Sequence, residues 1–303
     1  MFSRRHPYLF FILIFSTVAA TAMILMTLLF TLSTRDTEFE FGEKVGVIEI
    51  NGIIADSKNV LNHLKRFRED NAIKAIVVRV DSPGGAVGPS QEIFREIRKT
   101  SATKKVVASM GTIAASGGYY IAAGANGIVA NPGTITGSIG VIMGFTNYEE
   151  LLHKIGLVPI VVKSGDYKDI GSPVREMKPE EKKILQEFAK KIHRQFIKDI
   201  VDGRKMDMEK VESLADGRIF TGQESKKFGL VDRLGNLEDA IEWAGRLGGI
   251  KGKIATVYAK EKKFSLLKYI TDSSAKTLLN QILDPKLSAD YIYRPEQARS
   301  LHQ

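Results

Sequence analysis

Ser116 stands between Ala115 and the glycine pair Gly117-Gly118, in the stretch "IAASGGYYIAAG" at residues 113–124. The residues before it, "KKVVASM", have the composition of a buried strand, and a helix is expected to begin near the serine. The first amides of a helix have no intrahelical partner, and the helix dipole adds positive potential there. A serine at such a turn can attack a carbonyl while the amide of Gly117 stabilises the oxyanion. Glycine after the serine lets a substrate backbone approach closely. A second turn, "DSPGG" at residues 81–85, closes another strand and can aim the amides of Gly84 and Gly85 at the same point. In an open parallel sheet the crevice at the strand ends is where sites lie. Two glycine turns there make a two-donor oxyanion hole for acyl transfer. Each motif alone also has a plain structural reading: small residues let a helix pack against a sheet, and SPGG is an ordinary turn.

A nucleophilic serine needs a base. The five histidines are His6, His63, His153, His193 and His302, and none lies in a glycine loop. His63, His153 and His193 fall on expected helices among charged neighbours, His6 precedes a long apolar run, and His302 is in the tail. A serine–histidine–aspartate triad is therefore poorly supported. A lysine can serve instead if burial or its hydrogen bonds keep it uncharged. The stretch "IVVKSGDYKDIGSP" offers Lys163 and Lys168, and the physics of the sequence does not choose between them.

The surrounding elements alternate. Strands are expected over "KVGVIEINGII", "KAIVVRVDS", "KKVVASM", "GIVANP", "TGSIGVIM" and "LVPIVVKSG". Helices are expected over "VLNHLKRFRED", "GPSQEIFREIRKT", "NYEELLHKIG", residues 179–202, "DMEKVESLADG" and "LEDAIEWAGRLGG". In the longest helix Ile184, Phe188, Ile192, Phe196 and Ile200 recur every four residues, with Pro179 in its first turn. This alternation predicts an α/β fold with parallel pairing. No internal repeat is present.

The chain has 303 residues, no cysteine and a formal net charge of +9. Absence of cysteine excludes disulfides, thiol catalysis and cysteine-held metals. The basic residues are interleaved with acids, as in "KPEEKKILQEFAKKIHRQFIKDI", which reads as solvated helix faces. With no basic run carrying stacking aromatics, no nucleic-acid partner is expected. No cofactor or metal is expected either.

Residues 8–32, "YLFFILIFSTVAATAMILMTLLFTL", carry no charge and are long enough for roughly 30 Å of hydrocarbon. A cleaved signal peptide is the rival, but the run continues well past the small residues at Ala19–Ala22. The expected organisation is a basic cytoplasmic N-terminus (1–7), a transmembrane anchor (8–32), a linker (33–43), a catalytic domain (44–263) and a C-terminal tail (264–303). Arg4 and Arg5 before the span, and acids after it, orient the N-terminus to the cytoplasm and the domain outward. In the tail, "FSLLKYITDSSAKTLLNQILD" reads as an amphipathic segment and "RPEQARSLHQ" as a loose end.

Taken in order, "RVDSPGG", "ASGGYYIA", "TGSIGV", "KSGDYKDIGSP" and "DGRIFTGQESKKFGLVD" resemble the signal peptide peptidase A family of membrane-bound serine proteases, in its short, unduplicated form. The resemblance covers roughly residues 44–260. It implies a Clp protease/crotonase-like fold of repeated ββα units. It implies Ser116 as nucleophile and Lys168, in "KDI", as general base, which demotes Lys163. It also implies Ser138 as the serine that positions the base, and Gly85 and Gly117 as the oxyanion hole. Duplicated members take serine and lysine from different halves. One copy therefore implies a homo-oligomer in which Lys168 serves a neighbouring subunit's Ser116. The implied substrates are remnant signal peptides and other short hydrophobic peptides, cleaved at the outer face of the cell membrane. The alternatives are a related membrane protease that trims a partner membrane protein, a crotonase-fold enzyme acting on acyl-CoA, and a non-catalytic membrane scaffold on the same fold.

Overall fold

The computed structural model describes residues 6–34, 43–259 and 290–292. The chain divides into two compact units, residues 1–42 and 43–303. Helix α1, Pro7–Thr34, forms the first. Its segment Tyr8–Leu28 has a mean hydropathy of 2.5, so it is long and apolar enough to cross a membrane or to act as a signal sequence. The hydroxyls of Ser16, Thr17, Thr21 and Thr27 each bond a carbonyl three or four residues back. This satisfies them within the helix, as an apolar surrounding requires.

The second unit is built on an eight-stranded sheet. Its elements in chain order are β1 (Lys44–Asn51), α2 (Lys58–Glu69), β2 (Ile73–Ser82), β3 (Gly84–Ala86), α3 (Val87–Ser101), β4 (Lys105–Ala115) and α4 (Gly117–Ala122). There follow β5 (Gly127–Ala130), β6 (Ile135–Gly137), α5 (Glu149–Lys154), α6 (Pro179–Arg204), α7 (Met208–Leu214), β7 (Ile219–Thr221), α8 (Gly222–Phe228), β8 (Arg233–Leu234), α9 (Leu237–Leu247) and β9 (Ala255–Tyr258). The main path runs β7-β6-β4-β2-β1-β9, with β5 on β4 and β8 on β5. All pairs are parallel except β6 with β7. A separate two-stranded sheet joins β3 to β10 (Asp290–Ile292) in antiparallel fashion.

Alternation along the strands explains how one sheet feeds two cores. Ile76, Val78 and Val80 of β2 face one side, with Ile93, Phe94 and Phe196, while Ala75 and Val77 face the other, with Ile241 and Ala244 of α9. β4 is long enough to change partners: Val107–Met110 pair with β5, and Ile113–Ala115 pair with β6. Between Val80 and Ser82 the register slips, so Met110 faces Val80 but Ala114 faces Ser82. That irregularity lies just ahead of Ser116.

Three sequence expectations change. β6 ends at Gly137, where Ser138 takes positive φ, so most of "TGSIGVIM" is not strand. Residues 157–163 form no strand. Their branched side chains suit a sheet, but no neighbour strand bonds them, and Ile160 and Val162 are 88% and 95% exposed. In α6, Ile192, Phe196 and Ile200 are buried, whereas Ile184 and Phe188 are exposed and Leu185 is buried instead. A spacing of four overshoots the 3.6-residue turn, so the row drifts off the core face within a few turns. The amphipathic segment read at 264–284 and the end at 294–303 lie outside the described residues.

Candidate active site

The site is assembled at the ends of β2, β4 and β6. Ser116 caps α4 with φ 51° and ψ −117°, and Ser138 follows β6 with φ 51°. Positive φ is uncommon for a serine and costs of order 1–3 kcal/mol, so the surroundings must hold it. They do. The Ser116 amide donates to Gly137 O (2.8 Å), the Tyr120 amide donates to Ser116 O (2.8 Å), and the Ser138 amide donates to Arg218 O (2.8 Å). Ala115 pairs with Gly137 in the sheet, so Ser116 and Ser138 leave adjacent strands side by side. Two buried hydroxyls fix β6 to β4: Thr136 Oγ1 donates to Ala114 O and Thr134 Oγ1 to Gly111 O, both at 2.7 Å.

The two tyrosines after the glycine pair anchor α4. Tyr119 donates its hydroxyl to Leu230 O (3.0 Å), and burial pushes that hydroxyl's pKa up. The Tyr120 ring lies 5.0 Å from Phe94 and 4.7 Å from Phe196, with its hydroxyl on Asp199. The start of the helix is equally constrained. A Cβ on Gly118 would lie 2.6 Å from Ser82 O, so only glycine lets α4 abut the end of β2.

Ser82 shapes the other glycine turn, its Oγ accepting from the Gly84 amide at 3.0 Å. Beyond it β3 lies against Ile54: the Ala86 amide donates to Ile54 O (2.8 Å) and the Ile54 amide to Gly84 O (2.9 Å). Because backbone groups alternate along a strand, the Gly85 amide faces the opposite edge. On that edge lies β10, with Tyr291 opposite Gly85. β10 also lies against α4. As the first residue of α4, Gly117 has an amide with no partner inside the helix.

Lys168 makes none of these bonds. It is exposed, on a run of turns in which its own amide donates to Gly165 O (3.1 Å). Among the described residues no hydrogen bond joins its ammonium, or any histidine, to Ser116. So the structure brings Ser116, Gly117, Ser138 and the Gly85 turn together and leaves Lys168 outside that cluster's hydrogen bonds. Lys163 is engaged: its Nζ donates to Asp169 Oδ1 (2.6 Å) and Asp166 O (2.8 Å). Beyond that lies an ion-pair chain. Arg175 donates from Nε to Asp169 Oδ2 (2.7 Å) and, from its two terminal nitrogens, to both oxygens of Glu181 (2.6 and 2.8 Å). Among the described residues no three His, Asp or Glu side chains converge where a metal ion would sit.

Sequence comparison settles the family. The sequence model of Peptidase family S49 matches residues 98–251, and that of the Clp protease matches residues 45–134. A putative protease of Synechocystis is 46% identical over 79% of this chain and 88% of its own length. The chain belongs to peptidase family S49. A putative signal peptide peptidase SppA of Enterococcus faecium is 39% identical over 66% of this chain and 62% of its own length. Protease 4 of Salmonella typhi is 34% identical over 84% of this chain, which spans 43% of that longer protein. This S49 chain is therefore a serine peptidase on a Clp protease-like fold. The acyl-CoA and scaffold alternatives give way to that membership.

Several features of the candidate site and its surroundings escaped the sequence reading. Ser82, Thr134 and Thr136 looked like ordinary turn and strand residues, and only the register shows what they hold. β3 is too short to register as a strand. The Asp169–Arg175–Glu181 chain had one signal, the even spacing of opposite charges through "KDIGSPVREMKPEE", which was not read.

Proposed function

We propose that the chain is a membrane-anchored serine endopeptidase in which Ser116 is the nucleophile and Lys168 the general base. The anchor is α1, with the N-terminus cytoplasmic and the catalytic domain, taken as residues 44–263, outside the cell membrane. Its substrates are cleaved signal peptides and other hydrophobic peptides in extended conformation. The observation that carries this reading is the strand Asp290–Ile292, which lies antiparallel on the free edge of β3 and against α4. A peptide seated there has its backbone opposite Gly85, beside the turn that holds Ser116. Backbone pairing of this kind takes any extended chain and leaves specificity to side-chain pockets.

In the reaction, the uncharged Lys168 amine takes the Ser116 hydroxyl proton as Oγ bonds to the peptide carbonyl carbon. The resulting oxyanion accepts from the Gly85 and Gly117 amides. The C–N bond then breaks, and the leaving amine takes the proton back from Lys168. Water, deprotonated by Lys168, attacks the ester and releases the carboxylate and Ser116. Ser138, beside Ser116 on the next strand end, holds the lysine amine by a hydrogen bond.

In this reading Lys168 comes from a neighbouring subunit of a homo-oligomer. Two features support it: Lys168 makes no bond to its own Ser116, and the segment before it exposes Ile155, Leu157, Val158, Ile160 and Val162. So many apolar side chains in one run mark a surface that a partner covers. The test is hydrolysis of a hydrophobic peptide panel by the full chain in detergent, with Ser116→Ala as control. Ser116→Ala and Lys168→Ala chains, each inactive alone, are expected to regain activity when dissociated and reassembled together. Mixed oligomers with no activity would count against the shared site, and an active Ser116→Ala chain against the nucleophile.

A further inference from the structure

Four charged residues at intervals of six, Lys163, Asp169, Arg175 and Glu181, form one continuous chain of ion pairs around Lys168. Both Asp169 oxygens are used, one by Lys163 and one by Arg175. Arg175 also donates from Nη2 to the Asp169 carbonyl (3.1 Å), so it grips the backbone one residue from Lys168. Its other end is fixed to Glu181, which is buried in the first turn of α6 and also accepts from the Lys178 amide at 3.0 Å. A bidentate guanidinium–carboxylate pair sets an orientation as well as a distance. Hydrogen bonds from Arg175 first, and then from Lys163, hold the Asp169 carboxyl well below the usual carboxylate range, so it stays charged at working pH.

Ion pairs that still reach solvent at one partner add little to global stability. Their use here is geometric. The segment from 155 to 168 has no strand partner and no buried side chains to fix it. The ion-pair chain is what ties the Lys168 turn to a long helix of the core. Resting on the assignment of Lys168 as base, we infer that Arg175 is a positioning residue. By clamping the Asp169 side chain and backbone to Glu181, it sets where the Lys168 amine stands.

The inference is tested on the full chain in detergent with a fluorogenic hydrophobic peptide. Arg175→Ala is expected to lower kcat by ~10²-fold, the cost of misplacing a reacting group by about 1 Å, with KM within about twofold. Arg175→Lys, which keeps the charge and loses the fork, is expected to recover part of that loss, and added guanidinium ion to recover part of it in Arg175→Ala. A kcat within threefold of the parent, or a loss that falls in KM alone, overturns the inference. Should Arg175→Ala lose its cooperative melt, Asp169→Asn decides. It leaves Arg175 on Glu181 and removes only the charge beside Lys168, with a ~10-fold fall in kcat expected and an unchanged kcat overturning. Lys168→Ala run in parallel separates the two layers. Full activity there sinks the base assignment itself, whereas a dead Lys168→Ala beside a normal Arg175→Ala sinks only the clamp.

Discussion

Gly85→Ala probes the proposed oxyanion hole through backbone geometry alone. A Cβ at this position would lie 2.2 Å from Ile54 O and 2.6 Å from Ile54 N, and contacts below 3.0 Å are essentially never tolerated. These are backbone atoms, so no side chain can rotate away. β3 must therefore part from Ile54 by about 0.8 Å, carrying the Gly85 amide with it. A donor displaced by that much no longer meets the developing oxyanion, and loss of one such donor costs ~10²–10³ in kcat, or about 3–4 kcal/mol. Steady-state hydrolysis of a hydrophobic peptide reads the effect, with a thermal melt to confirm that the variant is folded. Because β3 is three residues long and lies outside the eight-stranded sheet, the melt is expected to move little beside the change in kcat. A folded Gly85→Ala chain that keeps kcat within threefold would refute the role of this amide.

Other perturbations test other parts of the molecule. Hydrogen bonds from Arg175 and the Lys178 amide hold Glu181 down to about 2 from its ordinary 4.5, so its stabilising contribution is full above that ordinary value. It fades as pH falls from about 4.5 toward 2, which amide exchange across residues 163–181 should show as loss of protection, and less so in Arg175→Ala. Phe196 is fully buried against Tyr120, so Phe196→Ala is expected to cost ~3–5 kcal/mol and lower Tm by ~6–20 °C. Val162→Asp, at a side chain 95% exposed in the single chain, is expected to keep the chain folded and to dissociate the proposed homo-oligomer with loss of activity, read by light scattering.

The strands that bury both faces were legible because their composition is unambiguous. "KVGVIEIN" and "KAIVVRVDS" have no polar face to confuse with a helix, and the structure gives Lys44–Asn51 and Ile73–Ser82. The two glycine turns were legible as turns because "DSPGG" and "ASGG" each follow a strand-like run, although either alone is equally an ordinary turn or a close helix–sheet contact. The segment at 157–163 misled, because β-branched residues form a strand only beside a neighbouring strand, and among the described residues none pairs with it. Thr134, Thr136 and Ser82 were not legible at all. Their function is to bond carbonyls and amides of other elements, and sheet register decides which ones.

Backbone strain ties the site together. Among the described residues only three non-glycine residues take positive φ, and two of them, Ser116 and Ser138, sit at the ends of adjacent strands. Each needs its neighbours to hold it: Ser116 donates to Gly137 O, and Thr136 locks that strand to Ala114 O. A turn that served only to change direction would use glycine at these positions at no cost, as the chain does at Gly52 and Gly217. Serine stands at both positions although glycine would carry less strain, which accords with the roles proposed for the two hydroxyls. Strain placed twice at one corner, beside the β3 edge on which Asp290–Ile292 lies, fits the proposed attack on a peptide carbonyl.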